Sequence, residues 1–290
     1  MPPAAVGITS IHRLPRTEFD MGAEANASPV SIATLRRMKA QNEKIACLTC
    51  YDASFTRVLE EAGVDVFIIG DTLGMVIQGH ESTVSVTMQD MIYHAAIVAR
   101  IGRRALRVVD MPFMSYASRD HALENAARLM REGGAHMVKL EGGSVMAGVV
   151  EHLARHAIPV CGHIGLLPQS VYKLGGYRVQ GRDEAGAAAL VDDARALEAA
   201  GADLLVIECV PAELAARLTA AVSIPTIGIG AGPACDGQVL VLYDMLGITP
   251  GRRPRFVKDF LEPAGSVPAA ITAYVKAVRE GNFPGPEHSF

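Results

Sequence analysis

Eight short apolar segments recur along this chain, and most are separated by segments with the hydrophobic spacing of an amphipathic helix. This alternation is typical of repeated βα units, which place their strands parallel in one sheet. The predicted strands cover residues 45–50, 64–71, 106–112, 136–142, 159–166, 203–210, 224–232 and 238–245. Eight strands favour a closed (β/α)8 TIM barrel of the α/β class, and an open doubly wound sheet is the alternative.

The domain organisation follows from where the βα rhythm begins. We expect one catalytic barrel domain over residues 29–290, a common length for this fold. Residues 1–28 lack periodicity and mix charges with prolines, which predicts a flexible N-terminal extension. That stretch lacks the apolar core of a secretory signal, and no apolar run is long enough to span a membrane. Five cysteines, an odd number, fit a reducing compartment, so we expect a cytoplasmic protein.

The charge balance of the chain restricts its partners. With 27 basic and 31 acidic residues, the formal net charge is −4. This balance leaves no basic surface for nucleic acid and no electrostatic attraction to an anionic membrane. We therefore expect small-molecule substrates, and neither nucleic acid nor a membrane, as partners.

Four predicted strands end in a carboxylate: Asp71, Asp110, Glu141 and Glu208. In a barrel, the carboxyl ends of the strands and the loops after them build the active site. A single acid there is expected to cap a helix or accept backbone hydrogen bonds, but four acids in one pocket need a cation to stabilise them. Oxygen ligands without a His/Cys cluster favour Mg²⁺, with other divalent cations such as Mn²⁺ second. The residue pattern alone does not distinguish a fourth ligand from a proton acceptor.

Two further polar residues are expected in the same pocket. Lys139 and Glu141 lie two apart on one strand, so both side chains point into the barrel. A buried lysine needs a partner, and Lys139 either pairs with the carboxylates as a structural ion or binds a substrate carboxylate. His163 lies near the barrel mouth, where it either hydrogen-bonds a ligand or is a satisfied core histidine.

Three other motifs favour structure over chemistry. Cys47 and Cys50 form C-x-x-C, but residues three apart on a strand face opposite sides, which predicts core packing rather than a redox pair. His152 and His156 have helical spacing on a predicted outer helix and are expected at the surface rather than around a metal. The GIGAG run after the seventh strand is either a phosphate cradle or a set of turn glycines.

The blocks that contain these residues resemble a known family, in family order and spacing: GDTLGMVIQGHESTVSVTMQDMIYH, DMPFMSY, MVKLEGG, VCGHIGLLPQS, GGYRVQGR, LLVIECVP and GIGAGPACDGQVLV. The family is 3-methyl-2-oxobutanoate hydroxymethyltransferase, also called ketopantoate hydroxymethyltransferase. The resemblance implies a barrel of the phosphoenolpyruvate/pyruvate type. It also implies transfer of a hydroxymethyl group from 5,10-methylenetetrahydrofolate to 3-methyl-2-oxobutanoate, which forms 2-dehydropantoate in pantothenate (coenzyme A precursor) synthesis.

The resemblance also separates the four acids by role. It implies that Asp71, Asp110 and Glu141 hold the metal, Mg²⁺ by preference, and that Glu208 is the general base. Metal chelation of the oxo acid would then stabilise the enolate formed when Glu208 removes a proton. The family further implies a homo-oligomer, commonly a decamer.

Substrate contacts are implied in the same way. Asp71 and Thr72 match positions that contact the oxo acid, Asp110 also approaches it, and Lys139 matches a substrate-binding lysine. The family usually has serine where this chain has Thr72, so the hydroxyl is retained and the added methyl predicts an altered affinity rather than a loss of activity.

Two other functions are consistent with the residue pattern. A metal-dependent lyase or mutase acting on another 2-oxo acid would use a similar set of acids, and it differs by needing no folate. A catalytically inert binding or assembly protein would tolerate amides in place of Asp71, Asp110 and Glu208.

Overall fold

The computed structural model describes residues 28–249, 251 and 253–290, and in this part of the chain eight parallel strands close into a barrel in sequence order. Strand β8 returns to pair with β1, where Val239 lies opposite Cys47. The strands are β1 Ile45–Thr49, β2 Val66–Ile69, β3 Leu106–Asp110, β4 Met137–Glu141, β5 Val160–Gly165, β6 Leu204–Glu208, β7 Thr226–Ile229 and β8 Gly237–Leu240. The predicted TIM barrel is confirmed, and the open sheet was the wrong alternative.

Helices surround the barrel and cover its amino end. In chain order they are α1 Ile32–Ala40, α2 Ala53–Glu61, α3 Leu73–Val76, α4 Met88–Ile101, α5 Arg119–Arg131, α6 Ala147–Arg155, α7 Val171–Leu174, α8 Glu184–Ala199, α9 Ala212–Ala221, α10 Leu242–Met245, α11 Leu261–Ala264 and α12 Val267–Arg279. Several long helices begin at a side chain that accepts a backbone N–H of the first turn, as Ser118 does for α5 and Asp183 for α8.

Alternate strand residues point into the barrel, whose interior changes from apolar at the amino ends to polar at the carboxyl ends. In β4, Met137 packs in the interior apolar cluster, while Lys139 and Glu141 follow on the same face. In β3, Val108 precedes Asp110 in the same way. The barrel therefore has an aliphatic floor beneath a charged mouth.

Helix α1 closes the amino end of the barrel. Its buried residues Leu35 and Met38 belong to the same interior cluster as Ile45 at the start of β1. Lys39 attaches the helix to the strands, because its Nζ lies 3.0 Å from Oδ2 of Asp236 and donates to two backbone carbonyl oxygens close to β7. The interior is thus covered at its amino end, and the polar pocket lies at the other end.

All five cysteines of the chain are buried free thiols. Cys47 lies in the interior cluster, and Cys50 lies in the layer between strands and helices, which confirms that the two face opposite sides. The glycines after β7 also have structural reasons. Gly230 and Gly232 adopt φ of 59° and 73°, and a Cβ on Gly232 would lie 2.5 Å from the Cβ of Ala212.

The end of the eighth strand was predicted wrongly. Strand β8 stops at Leu240, and residues Leu242–Met245 form helix α10 instead of extending the strand to 245. The backbone N–H of Leu242 donates to Oγ1 of Thr49, which anchors the turn where the strand ends. Residues 1–27 of the predicted extension lie outside the described part. Among the residues described, no helix is both long and apolar enough to cross a membrane.

Candidate active site

The carboxyl ends of the strands surround a polar pocket in the barrel mouth. Its lining includes every residue for which the sequence predicted a role: Asp71, Thr72, Asp110, Lys139, Glu141, His163 and Glu208. Aliphatic side chains, among them Ile68, Val206 and Ile229, complete the wall. Four strands and the loop after β2 therefore bring the predicted residues together.

Lys139 lies among the acids and pairs with one of them. Its Nζ is 3.0 Å from Oδ2 of Asp110, and both side chains are almost fully buried. The same Oδ2 accepts a hydrogen bond from the backbone N–H of Asp71 at 3.2 Å, which joins the loop after β2 to the end of β3. The pairing with a carboxylate, one of the two roles that the sequence left open for Lys139, is present, and its contact with a substrate stays a prediction.

The acids of the pocket perturb one another because they are close and buried. Burial and then the charge of Asp110 raise the pKa of Asp71 to about 7, although Lys139 opposes this shift. Burial also raises the pKa of Glu141 well above its ordinary value. For Lys139, burial acts to lower the pKa, but the neighbouring acids raise it well above its usual range. The lysine stays charged, but its single positive charge does not keep the pKa values of Asp71 and Glu141 in their ordinary range.

His163 connects Lys139 to Glu208. Nζ of Lys139 lies 3.4 Å from Nδ1 of His163, and Nε2 on the other side of the ring lies 3.1 Å from Oε2 of Glu208. Burial and then the charge of Lys139 lower the pKa of His163 well below its ordinary value, so the ring is neutral. Since the ammonium donates to Nδ1, the ring proton belongs on Nε2, on the side of Glu208, where Nε2 has no hydrogen-bond partner among the described residues.

Glu208 is the acid best placed to exchange a proton. Its side chain is 13% exposed at the end of β6. Burial raises its pKa to about 8, although the charge of Lys139 opposes the shift. A carboxyl group that titrates near neutrality can both accept and return a proton at working pH.

Thr72 follows Asp71 and holds its hydroxyl in one direction. Its Oγ1 lies 2.8 Å from the hydroxyl of Tyr51, a side chain with no exposed surface. Gly70 leaves room for that hydroxyl, because a Cβ at this position would lie 2.9 Å from Oγ1 of Thr72. The threonine therefore retains a fixed hydroxyl at the edge of the pocket.

Sequence reasoning missed two residues that contact the predicted acids. Gln169 lies in the 3-10 turn Pro168–Ser170 after β5 and donates to both Asp71 and Glu141. Tyr116, in the loop after β3, contacts Gln169 and the backbone of Glu141. The sequence signals were their place in loops at the carboxyl ends of strands, where barrel enzymes bind substrates, and their place in the family blocks DMPFMSY and VCGHIGLLPQS.

The donor chemistry of the three predicted ligands fits a hard cation. Oδ1 of Asp110 and Oε1 of Glu141 are buried without a hydrogen-bond partner, so each of these acids has an oxygen that lacks a protein donor. Within residues 28–249, 251 and 253–290, no three His, Cys, Asp or Glu side chains are already grouped closely enough to hold an ion. The acids thus supply oxygens suited to a hard cation, but their side chains would have to move closer together to hold one.

Comparison with known proteins decides the family. The family model described as ketopantoate hydroxymethyltransferase matches residues 29–286. The chain belongs to this family. The resemblance inferred from the sequence motifs is therefore confirmed.

Proteins named 3-methyl-2-oxobutanoate hydroxymethyltransferase are similar along nearly their whole length. The one from Thiobacillus denitrificans is 61% identical over 263 residues, which cover 90% of this chain and 100% of that protein. The one from Alkalilimnicola ehrlichii is 58% identical over 262 residues, which cover 90% of this chain and 95% of that protein. The chain is therefore an enzyme of the transferase class, and the inert binding protein was the wrong alternative.

Solved structures with the same fold are more distant. Phosphoenolpyruvate phosphomutase from Streptomyces platensis subsp. rosaceus is 16% identical, with a TM-score of 0.56 over 75% of this chain and 83% of that one. A 2,3-dimethylmalate lyase of the PEP mutase/isocitrate lyase superfamily is 17% identical, with a TM-score of 0.54 over 89% and 90% of the two chains. At these identities the likeness concerns the fold alone, and it agrees with the closed eight-stranded barrel of this chain.

Proposed function

We propose that this enzyme transfers a hydroxymethyl group from 5,10-methylenetetrahydrofolate to 3-methyl-2-oxobutanoate and forms 2-dehydropantoate for pantothenate synthesis. The observation that carries the proposal is the pocket in which four acids and Lys139 meet, in a chain of the hydroxymethyltransferase family. In the balanced reaction, the substrate loses the proton on C3, and its C3 bonds to the folate-borne methylene carbon. The two bonds from that carbon to the folate nitrogens break, water supplies the hydroxyl oxygen, and tetrahydrofolate leaves with the protons from C3 and from water on its two nitrogens.

The pocket offers contacts to each polar part of a 2-oxo acid. Asp71, Asp110 and Glu141 would hold Mg²⁺, which when bound supplies Lewis-acid polarisation of the substrate's keto group. The charged Lys139 would offset the substrate carboxylate, and the fixed hydroxyl of Thr72 would donate to a substrate oxygen. Together these contacts orient C3 for deprotonation.

Glu208 would act as the general base. Its carboxylate would take the C3 proton, and its partly dry position supports this role because burial raises its pKa to about 8. The neutral ring of His163 lies beside the carboxylate, with Nε2 3.1 Å from Oε2 but without a hydrogen-bond partner in the described part of the chain, so its Nε2–H would be available to a bound substrate. A separate base and a separate set of metal ligands thus share one pocket.

The surroundings of the enzyme are proposed from its family. We place it in the cytoplasm as a homo-oligomer, with a decamer as the expected assembly. Its partners would be the oxo acid and the folate cosubstrate, with no nucleic acid or membrane.

Folate dependence tests the proposal against a lyase or mutase acting on the same class of substrate. Purified enzyme with Mg²⁺ is expected to consume 3-methyl-2-oxobutanoate and release 2-dehydropantoate only when 5,10-methylenetetrahydrofolate is present, as followed by chromatography of both acids. Proton exchange at C3 without folate is expected, because the base acts before the cosubstrate. Equal consumption of the oxo acid without folate would contradict the transferase.

A further inference from the structure

Gln169 lies between two acids of the pocket and contacts both. The residue is buried, in the turn that follows β5. Its side-chain Nε2 donates to Oδ2 of Asp71 at 2.8 Å, and its backbone N–H donates to Oε2 of Glu141 at 3.0 Å. One residue thus joins acids that come from two different strands.

Tyr116 fixes the direction of the Gln169 amide. The tyrosine hydroxyl donates to Oε1 of Gln169 and accepts the backbone N–H of Glu141 at 3.3 Å. The second hydrogen on Nε2 donates to the carbonyl oxygen of Met111 at 2.9 Å. With a donor at Oε1 and acceptors around Nε2, the amide has one satisfied orientation, which places its N–H toward Asp71. Gln169, Tyr116 and Glu141 form a closed ring of hydrogen bonds, and Asp71 is attached to this ring through Gln169.

This ring determines which oxygen of each acid stays available. Oδ2 of Asp71 and Oε2 of Glu141 each accept a hydrogen bond from Gln169. Oε1 of Glu141 then remains buried without a partner. A carboxylate held through one oxygen presents the other in a fixed direction, which reduces the ordering required when a ligand binds.

We propose that Gln169 is a positioning residue that aims the free oxygens of Asp71 and Glu141 at the divalent cation, and that Tyr116 supports it by orienting its amide. The inference rests on the proposed metal site. Groups that hydrogen-bond metal ligands typically contribute a factor of about 10 to 100 in metal affinity. The role is therefore measurable in metal binding, apart from turnover.

The test compares Mn²⁺ binding by the full-length, metal-free chain with and without the amide. Mn²⁺ titrations followed by electron paramagnetic resonance, without substrate, are expected to show a dissociation constant raised about 10-fold or more in Gln169→Met, which keeps the side-chain length. Tyr116→Phe removes only the hydroxyl and is expected to raise it less, about 3-fold or more, because Tyr116 orients the amide of Gln169 and does not itself bond a carboxylate oxygen of the metal ligands. The matched control is Gln41→Met, an exposed glutamine at the end of α1, which is expected to bind as the wild type does.

The dependence of kcat on Mn²⁺ concentration is a second measurement. A purely structural role of Gln169 would leave this dependence unchanged. The loss of kcat in Gln169→Met is expected to shrink as Mn²⁺ is raised to saturation. Because metal binding also stabilises the folded state, circular dichroism at each Mn²⁺ concentration must show the same folded fraction as the wild type for this rescue to count. Saturable binding by the wild type with an unchanged dissociation constant in both variants would overturn the role of Gln169. Absence of Mn²⁺ binding by the wild type would instead remove the proposed metal site. If Gln169→Met does not fold, the binding constant of Tyr116→Phe decides the question.

Discussion

Burial of Glu208 disfavours its negative charge and raises its pKa to about 8. A pKa close to the working pH is the property that a general base needs. Glu208→Gln retains the size of the side chain and removes the proton acceptor. We expect kcat to fall about 10²-fold or more while the dissociation constant of the oxo acid changes little. Steady-state kinetics and equilibrium binding check the two quantities, with Glu213→Gln on the exposed surface of α9 as the control. Wild-type turnover in Glu208→Gln would refute the base assignment.

The pH dependence of the enzyme follows from the same residue. A base must be deprotonated to act, and burial raises the pKa of Glu208 to about 8. We therefore expect kcat/KM to increase with pH and to level off above about pH 8, because the free enzyme gains its carboxylate over that range. The residual activity of Glu208→Gln is expected to lack this ionisation. A wild-type profile that is flat between about pH 6 and pH 9 would contradict the assignment.

Protonation of Glu208 is expected to affect folding stability in the opposite direction: activity rises with pH, whereas stability falls. A carboxyl group with a higher pKa in the folded than in the unfolded state binds its proton more tightly when folded, so stability falls as pH rises between the two values. For Glu208 that window runs from 4.5 to about 8. In metal-free protein, the melting temperature of Glu208→Gln relative to wild type is expected to increase by a few degrees across this window. Scanning calorimetry at both ends of the window measures the difference, and a constant difference would contradict the shift.

At the scale of helices and strands, most of the fold was predictable, because all eight strands are short apolar runs whose positions the spacing reveals. The end of β8 was not predictable in this way. Leu242, Tyr243 and Met245 continue the apolar run after the strand, but the chain turns into α10 there, and the hydrogen bond from Leu242 to Thr49 anchors the turn. A hydrophobic pattern indicates which residues are buried, but it does not show whether a short buried run forms a strand or a helix.

In the candidate site, too, some residues were predictable from the sequence and others were not. The acids and Lys139 were predictable because charges at the ends of apolar strands are conspicuous. Gln169 and Tyr116 are neutral loop residues whose importance depends on contacts between β3, β4 and the turn after β5. Such contacts exist only after the barrel closes, and no local spacing encodes them.

Helix α1 gives a prediction at the scale of elements. Its buried Leu35 packs among interior residues at the amino end of the barrel, far from the charged mouth. Leu35→Ala is expected to destabilise the fold by about 2–4 kcal/mol through lost burial and a cavity. At temperatures where the variant is folded, its KM for the oxo acid is expected to match the wild type. Denaturant unfolding measures the change against Arg37→Ala, an exposed position on the same helix, and equal stability of the two variants would show that α1 does not close the core.

At the scale of the whole molecule, the proposed assembly is directly measurable. The chain has a mass of 30.7 kDa, so a decamer predicts a particle of about 300 kDa. Sedimentation velocity at several concentrations is expected to give this mass with little dissociation. A single species at the mass of one chain would contradict the expectation and would leave the pocket to function within one barrel.

The thiols of the molecule share one property, since all five are buried. Burial raises the pKa of Cys50 and of Cys161 to about 12, so the reactive thiolate is scarce at neutral pH. A chromogenic disulfide reagent is therefore expected to react slowly or not at all with native enzyme and to titrate five thiols after denaturation. Fast reaction of any thiol in the native state would indicate local opening of the barrel.

Because its native thiols are buried, the enzyme can be labelled at introduced cysteines without reaction at the native ones. Two cysteines introduced at exposed positions near the mouth, Val145 and Tyr172, would carry the only thiols open to a pair of maleimide fluorophores. Dyes on the loops after β4 and β5 would then report, by fluorescence, whether those loops approach each other when the oxo acid and the folate bind. The native cysteines would need no replacement for that experiment.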